Sequence, residues 1–493
     1  MLTRLKVSGF KNLENVDVRF GPFTCIAGAN GVGKSNLFDA ITFLSALADK
    51  PLSEAAAAVR GTEGRVGDVR SLFRNSGDRR ASEMSFEAEM IIPESGTDDL
   101  GSPATASMTF LRYRLVLRHR QELSSLGPLE IVSESMVHIN KAGAAAALGF
   151  QASAGWRDSV IKGRRTVPYI DTEVVDGKAL VLVRADSIGG AGGGGPRKAL
   201  AATMPRTVLS TANNAGEHRT LVLARKEMMG WTQLQLEPTA LRAPDPFNAP
   251  AKVGPNGAHL AAALYALARA EKRSGEGEME DVYQRVANRL GELFENVRSL
   301  VVEEDTKREL LTIVLTDMQR TAHLASSLSD GTLRFLALAI LEEHAMGPSV
   351  LCLEEPENGI HPDRIKAMIQ LLRAIAVDTE HPVGPDNPMR QVIVNTHSPG
   401  VVNEVPHDTL VVAEAADISR GGQRTRILRL RGLVGTWRGD DEAATILPLI
   451  SYLGLQRGPS ASRAKTERAE KRLVDRADVR QLGLFSAASE TVP

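Results

Sequence analysis

Between residues 28 and 35 the chain reads Gly28-Ala29-Asn30-Gly31-Val32-Gly33-Lys34-Ser35. Glycines at both ends of such a stretch let backbone N–H groups wrap a phosphate, and a helix beginning there adds the positive end of its dipole. Lys34 would reach the outer phosphates and the Ser35 hydroxyl would ligate magnesium, with Asn30, Gly31 and Asn36 completing the binding set. Far downstream, Ser349–Leu353 runs into Glu354-Glu355-Pro356-Glu357, an apolar strand ending in adjacent carboxylates. Two carboxylates at a strand end can serve a metal and an attacking water together, so Glu354 is assigned to magnesium through water and Glu355 to the general base. A third apolar run, Gln391–Asn395, ends in Thr396-His397-Ser398-Pro399. His397 is placed to hydrogen-bond the terminal phosphate or the water, a role that rests on the other motifs because a lone strand-end histidine is usually structural. Together these residues predict binding and hydrolysis of magnesium-ATP, with Glu355, His397 and Lys34 catalytic.

The elements that must carry them follow from hydrophobic period. Leu2–Phe10 alternates apolar and polar residues and Val16–Phe20 repeats the pattern, which predicts a hairpin. Phe23–Ala27 reads as a buried strand that enters the glycine-rich turn, and Ser35 to about Leu47 as the helix leaving it. Ser85–Ile92 and Met108–Arg118 read as further strands; in the second, Leu111, Tyr113, Leu115 and Leu117 share one face. Arg112, Arg114 and Arg118 share the other, read as a solvated face rather than a phosphate contact. Signals weaken from Gln121 to Ala251, and Gly189–Gly195 reads as a flexible loop. Helices are expected from about Gly257 to Lys272 and around Val282, Val286, Leu290 and Leu293, then strands at Ser299–Glu303 and Glu309–Thr316. No sustained heptad run occurs, so a long coiled-coil arm is not expected. The division predicted is 1–120 for the N-terminal lobe, 121–300 for an inserted mixed α/β region, 301–455 for the C-terminal lobe and 456–493 for a charged tether.

Composition bounds the class. The 493 residues carry 59 basic and 60 acidic side chains for a net charge of −1, which excludes a uniformly basic nucleic-acid coat but leaves room for a local basic groove. Cys25 and Cys352 are too few and too far apart for a disulfide framework or a zinc cluster and are expected in the core. The longest apolar run, Leu260–Ala268, is short of the roughly twenty residues that span a bilayer. No secretory pattern opens the chain, so a cytoplasmic protein without a membrane partner is expected.

The run Leu328-Ser329-Asp330-Gly331-Thr332-Leu333-Arg334 resembles the signature motif of ATP-binding-cassette (ABC) ATPases. With Glu354–Pro362 and Asn395–Pro399 the set resembles the bacterial AAA family ATPases related to RecF and to the overcoming-lysogenization-defect proteins. The likeness covers about the first fifty residues and Ala325 to about Arg431. It implies an α/β P-loop NTPase fold with an ABC-type head, an antiparallel β-subdomain and an inserted mixed region. It also implies a head-to-head homodimer or higher homo-oligomer in which Ser329, Asp330 and Gly331 cap ATP held by the partner subunit. Asp330 stands where ABC transporters usually carry glycine and Glu354 where they carry aspartate, which sets the chain apart from transporters. Phe10, Lys11 and Asn12 match the segment that borders adenine in relatives, and no glutamine is assignable to the Q-loop, the segment that joins nucleotide to β-subdomain.

Relatives of the overcoming-lysogenization-defect type add a Toprim nuclease, whose metals need a glutamate followed by an Asp-x-Asp pair. Glu414 imitates the first, but no Asp-x-Asp follows it, so no nuclease is expected in this chain. Near the end, Gln481-Leu482-Gly483-Leu484-Phe485 resembles the peptide that docks bacterial proteins on the DNA polymerase sliding clamp; the alternative is a tail packing Leu484 and Phe485 on its own head. The function expected is a DNA-associated ATP switch, acting in an antiphage defence module with a separate nuclease as effector. The alternative is a stand-alone repair ATPase like RecF. A scaffold with degenerate ATP chemistry is disfavoured by intact Lys34, Ser35, Glu355 and His397.

Overall fold

The computed structural model describes residues 1–59, 69–76, 79–120, 127–186, 197–275, 277–344, 347–420, 423–438, 455–457 and 479–481. Two sheets sandwich the helix that follows the phosphate loop. The first runs Trp231–Leu234, Val350–Glu354, Gln391–Thr396, Phe23–Gly28, Leu410–Arg420, Gln423–Gly432 in spatial order. Its first five strands are parallel and the last closes an antiparallel hairpin. Both faces are buried, which is why these strands read as continuous apolar runs rather than alternations. Phe23, Cys25 and Ala27 join one core with Leu351, Leu353, Val392 and Val394, while Ile26 joins the other with Cys352 and Ile393.

The second sheet is eight-stranded and antiparallel, in the order Arg197–Leu200, Lys178–Val183, Ile170–Val175, Leu129–His138, Phe110–His119, Glu83–Ile91, Leu2–Ser8, Val16–Arg19. Its inner face packs Leu111, Tyr113, Leu115 and Leu117 onto helix Lys34–Leu47 through Phe38, Ile41 and Leu44. The outer arginines pair with carboxylates one strand over: Arg112 Nη2 with Glu89 Oε1 at 2.8 Å, Arg114 with Glu87, and Arg118 with Glu83. Arg114 and Arg118 are exposed, so the arginine face is solvated as expected, and it also forms a ladder of ion pairs to Glu89 and Glu87, which are 1% and 6% exposed.

The mixed stretch 121–300 is woven into both layers. Its strands between Leu129 and Leu200 extend the antiparallel sheet, helix Ala215–Met229 lies in the same core, and Trp231–Leu234 joins the parallel sheet beside the carboxylate strand. Helices Leu260–Ser274 and Met279–Gly291 then form an antiparallel pair on the far face of the parallel sheet, with Asp330–Glu343 and Ile365–Ile375. Arg285 bridges Glu271 and Glu343, and Arg289 pairs with Glu342, tying this layer together. Among the described residues no helix is long and apolar enough to cross a membrane. Both cysteines are buried and free, and burial pushes both thiols up.

Candidate nucleotide site

The motif residues meet at the C-terminal edges of the parallel strands. Gly28 ends its strand, the turn follows, and Lys34 begins the helix. Asn30 and Gly31 lie exposed at the tip. Lys34 Nζ donates to Gly28 O at 2.6 Å and Ala29 O at 2.9 Å, which holds it inside the turn. Burial lowers its pKa first, and the charges of Glu355, Glu354 and Glu357 oppose that. Gly33 sits at φ 109°, where a side chain is strained, and an added Cβ would meet Asn12 Nδ2 at 2.2 Å. That contact is functional in shape: Asn12 Nδ2 donates to Val32 O at 2.9 Å, and Asn36 Nδ2 donates to Asn12 Oδ1 at 2.8 Å. Lys11 pairs with Asp39 at 2.7 Å, whereas Phe10 is fully buried against Phe43 and Phe86. Of the segment expected to border adenine, Asn12 therefore braces the phosphate loop, and Phe10 belongs to the core.

Ser35 Oγ donates to Glu354 Oε2 at 2.8 Å, and Gln233 Nε2 donates to Glu354 Oε1 at 2.8 Å. Gln233 belongs to no motif in the sequence, and the fold alone brings it to Glu354. Its only sequence signal is a strand-like run ending before Pro238 that also offers Gln235; the hydrogen bond to Glu354 singles out Gln233. Glu355 adopts φ 46°, a left-handed conformation that costs a residue with a side chain on the order of 1 kcal/mol. Asn395 holds it there by accepting from Glu355 N through O at 3.0 Å and Oδ1 at 3.3 Å. His397 Nδ1 lies 2.6 Å from Glu355 Oε1, and Asn358 Nδ2 donates to Glu355 Oε2 at 2.9 Å.

The signature residues stand apart from these contacts. Ser329 caps helix Asp330–Glu343 by accepting from Thr332 N at 3.2 Å, and Arg242 donates to Leu328 O at 3.0 Å and pairs with Asp330. Ser329 and Asp330 are exposed; Gly331 is buried, and a Cβ there would lie 2.5 Å from Gly359 O in the carboxylate turn. One short segment thus reaches both regions, Gln233 touching Glu354 and Arg242 gripping the signature. Of the clamp-docking peptide, Leu482, Leu484 and Phe485 lie outside the described residues; Gln481 ends strand Val479–Gln481, paired with Leu455–Arg457.

The donor set fits magnesium and a triphosphate. Ser35 Oγ and the Glu354 carboxylate are hard oxygen ligands, and no group of three or more His, Cys, Asp or Glu able to hold a metal occurs among the described residues. Magnesium suits such a site because it keeps waters and phosphate oxygens in its shell.

The phosphate loop at a parallel strand end, the antiparallel sheet over its helix and the signature helix packed on the carboxylate turn define an ABC-type P-loop ATPase head. Residues 283–403 match the family described as "AAA domain, putative AbiEii toxin, Type IV TA system", and residues 4–92 a family described as "AAA domain". A stretch of 46 residues is 44% identical to the DNA replication and repair protein RecF of Phocaeicola vulgatus, covering 9% of this chain and 12% of that one. RecF of Paenarthrobacter aurescens is 39% identical over 64 residues, 13% of this chain and 16% of its own. The matched portion is thus between about an eighth and a sixth of these relatives' length. Among solved structures, the SMC head bound to the C-terminal winged-helix domain of ScpA aligns over 88% of this chain and 98% of its own, with TM-score 0.44 and 15% identity. The SMC head of Thermotoga maritima aligns over the same shares with TM-score 0.36 and 11% identity.

Proposed function

We propose that this chain binds magnesium-ATP at the described site, hydrolyses it, and uses the cycle as a switch. The observation that carries this is the convergence of Ser35 and Gln233 on Glu354 beside the Glu355–His397 pair. Lys34 and the loop hold the phosphates, and Ser35 with Glu354 holds the ion, which supplies neutralisation of phosphate charge. Glu355 accepts the proton of the attacking water, and His397 Nδ1, within hydrogen-bond reach, orients that carboxylate. Asn395 and Asn358 keep Glu355 in place before water arrives.

The exposed Ser329 and Asp330, whose hydrogen bonds run to Thr332 and Arg242, support a head-to-head dimer in which each signature meets the partner's phosphate loop. The switch is read as the DNA-associated ATPase of a defence module that licenses a separate nuclease. The local identity to RecF favours a second reading, a stand-alone repair ATPase. In a phosphate-release assay, Glu355→Gln should lower turnover by at least about a hundredfold, the scale of a lost general base. Light scattering should show that variant dimeric with ATP; turnover at the wild-type rate would refute the base assignment. Pull-down of the ATP-locked variant from native cytosol separates the roles: a retained nuclease supports the defence module, and DNA alone supports repair.

A further inference from the structure

The carboxylate turn carries a third acid that neither the ion nor the water claims. Glu357 is 8% exposed; one oxygen accepts from Thr396 Oγ1, and Oε2 is buried without a hydrogen-bond partner among the described residues. Thr396 is fully buried at the end of strand Gln391–Thr396, immediately before His397. Its hydroxyl is held twice, donating to Glu357 and accepting from Ser398 N at 2.9 Å. The turn on which His397 leaves the sheet is therefore fastened from both sides: Glu355 takes the ring, and Glu357 takes the backbone through Thr396.

We propose that Glu357 is a positioning residue for hydrolysis, setting His397 against Glu355 through the Thr396 hydroxyl. The inference rests on the hydrolytic reading of the site. A carboxyl is a poor choice for mere filling here, because a buried oxygen without a partner costs more than the one bond returns. Burial accordingly pushes the Glu357 carboxyl above its usual range. An apolar residue would fill the space at lower cost but could not accept from Thr396.

The test is steady-state ATPase kinetics on the full chain. Glu357→Ala should lower kcat about tenfold to a hundredfold, the scale of a slightly misplaced catalytic group, with KM for ATP and affinity for a fluorescent ATP analogue unchanged. Glu357→Gln keeps an acceptor oxygen and should restore kcat to within about threefold of wild type. Thr396→Val removes the donor at nearly constant shape and should match Glu357→Ala, with the double variant no slower than either single one. If Glu357→Ala does not fold, Thr396→Val decides. Wild-type kcat in Glu357→Ala or Thr396→Val, a rise in KM alone, or failure of Gln to rescue overturns the inference. A wild-type chain without ATPase activity overturns the reading of the site and this inference with it; an active wild type with equally active variants overturns this inference alone.

Discussion

Asn12 shows what a single side chain can do for a phosphate loop that makes its own contacts mostly through backbone. Its amide bonds Val32 O and Asn36 at once, filling the space that any side chain at position 33 would need. Two hydrogen bonds at roughly 1 kcal/mol each set the scale of its worth. Asn12→Ala should therefore weaken ATP binding about fivefold to thirtyfold while leaving kcat near wild type, since Glu355 and His397 lie at the ends of other strands and Lys34 is held by Gly28 O and Ala29 O rather than by Asn12. Titration with a fluorescent nucleotide measures the first effect and saturating turnover the second; a variant with unchanged affinity would remove Asn12 from the binding machinery. Gln233 belongs to the same scale, as one amide that orients the carboxylate assigned to the ion.

Among the elements, strand Leu129–His138 carries a buried tension. Glu134, fully buried, accepts from Val208 N at 2.8 Å, Leu209 N at 3.0 Å and Tyr113 OH at 3.1 Å, and so docks the segment after the sheet. Burial pushes its pKa up from 4.5 to about 7, with the two backbone N–H groups and Tyr113 pulling the other way. The folded chain thus holds this proton over a range where the unfolded chain has lost it. Its contribution is complete below pH 4.5 and drains away as pH climbs to about 7. Glu134→Gln should flatten that limb, although it loses an acceptor and is less stable at the acid end. Urea midpoints at about pH 5 and about pH 7.5 check this: an equal pH slope in both proteins would contradict it. The arginine ladder on the neighbouring strands was legible as charge alternation, but its carboxylate partners were not, because pairing register is set by the sheet.

At the scale of the whole molecule the prediction concerns composite sites. If each signature serves the partner's phosphate loop, Lys34→Ala and Ser329→Arg should each abolish turnover, and mixing the two should recover part of it. The mixed dimer would contain one site with both Lys34 and Ser329 intact. Phosphate release on mixing measures this, and a mixture as inactive as its components would argue for sites complete within one chain. Packing of Gly331 on Gly359 O joins the two halves of such a cycle, since the signature helix starts on the turn that carries Glu355. Gly331→Ala, which places a methyl against that carbonyl, perturbs both.

The phosphate loop, the carboxylate turn, the histidine strand and the signature were determined by sequence alone, because each is a short continuous run whose chemistry depends on near neighbours. The strand–loop–helix order around Lys34 was equally local, carried by buried-strand runs and helical period. Tertiary structure alone decided that Gln233 reaches Glu354, that Asn12 braces Asn36, that Glu357 holds Thr396, and that the weakly patterned strands between Leu129 and Leu200 complete an eight-stranded sheet. Those contacts join residues on separate elements, and hydrophobic period states which face a residue takes but not which partner it meets there.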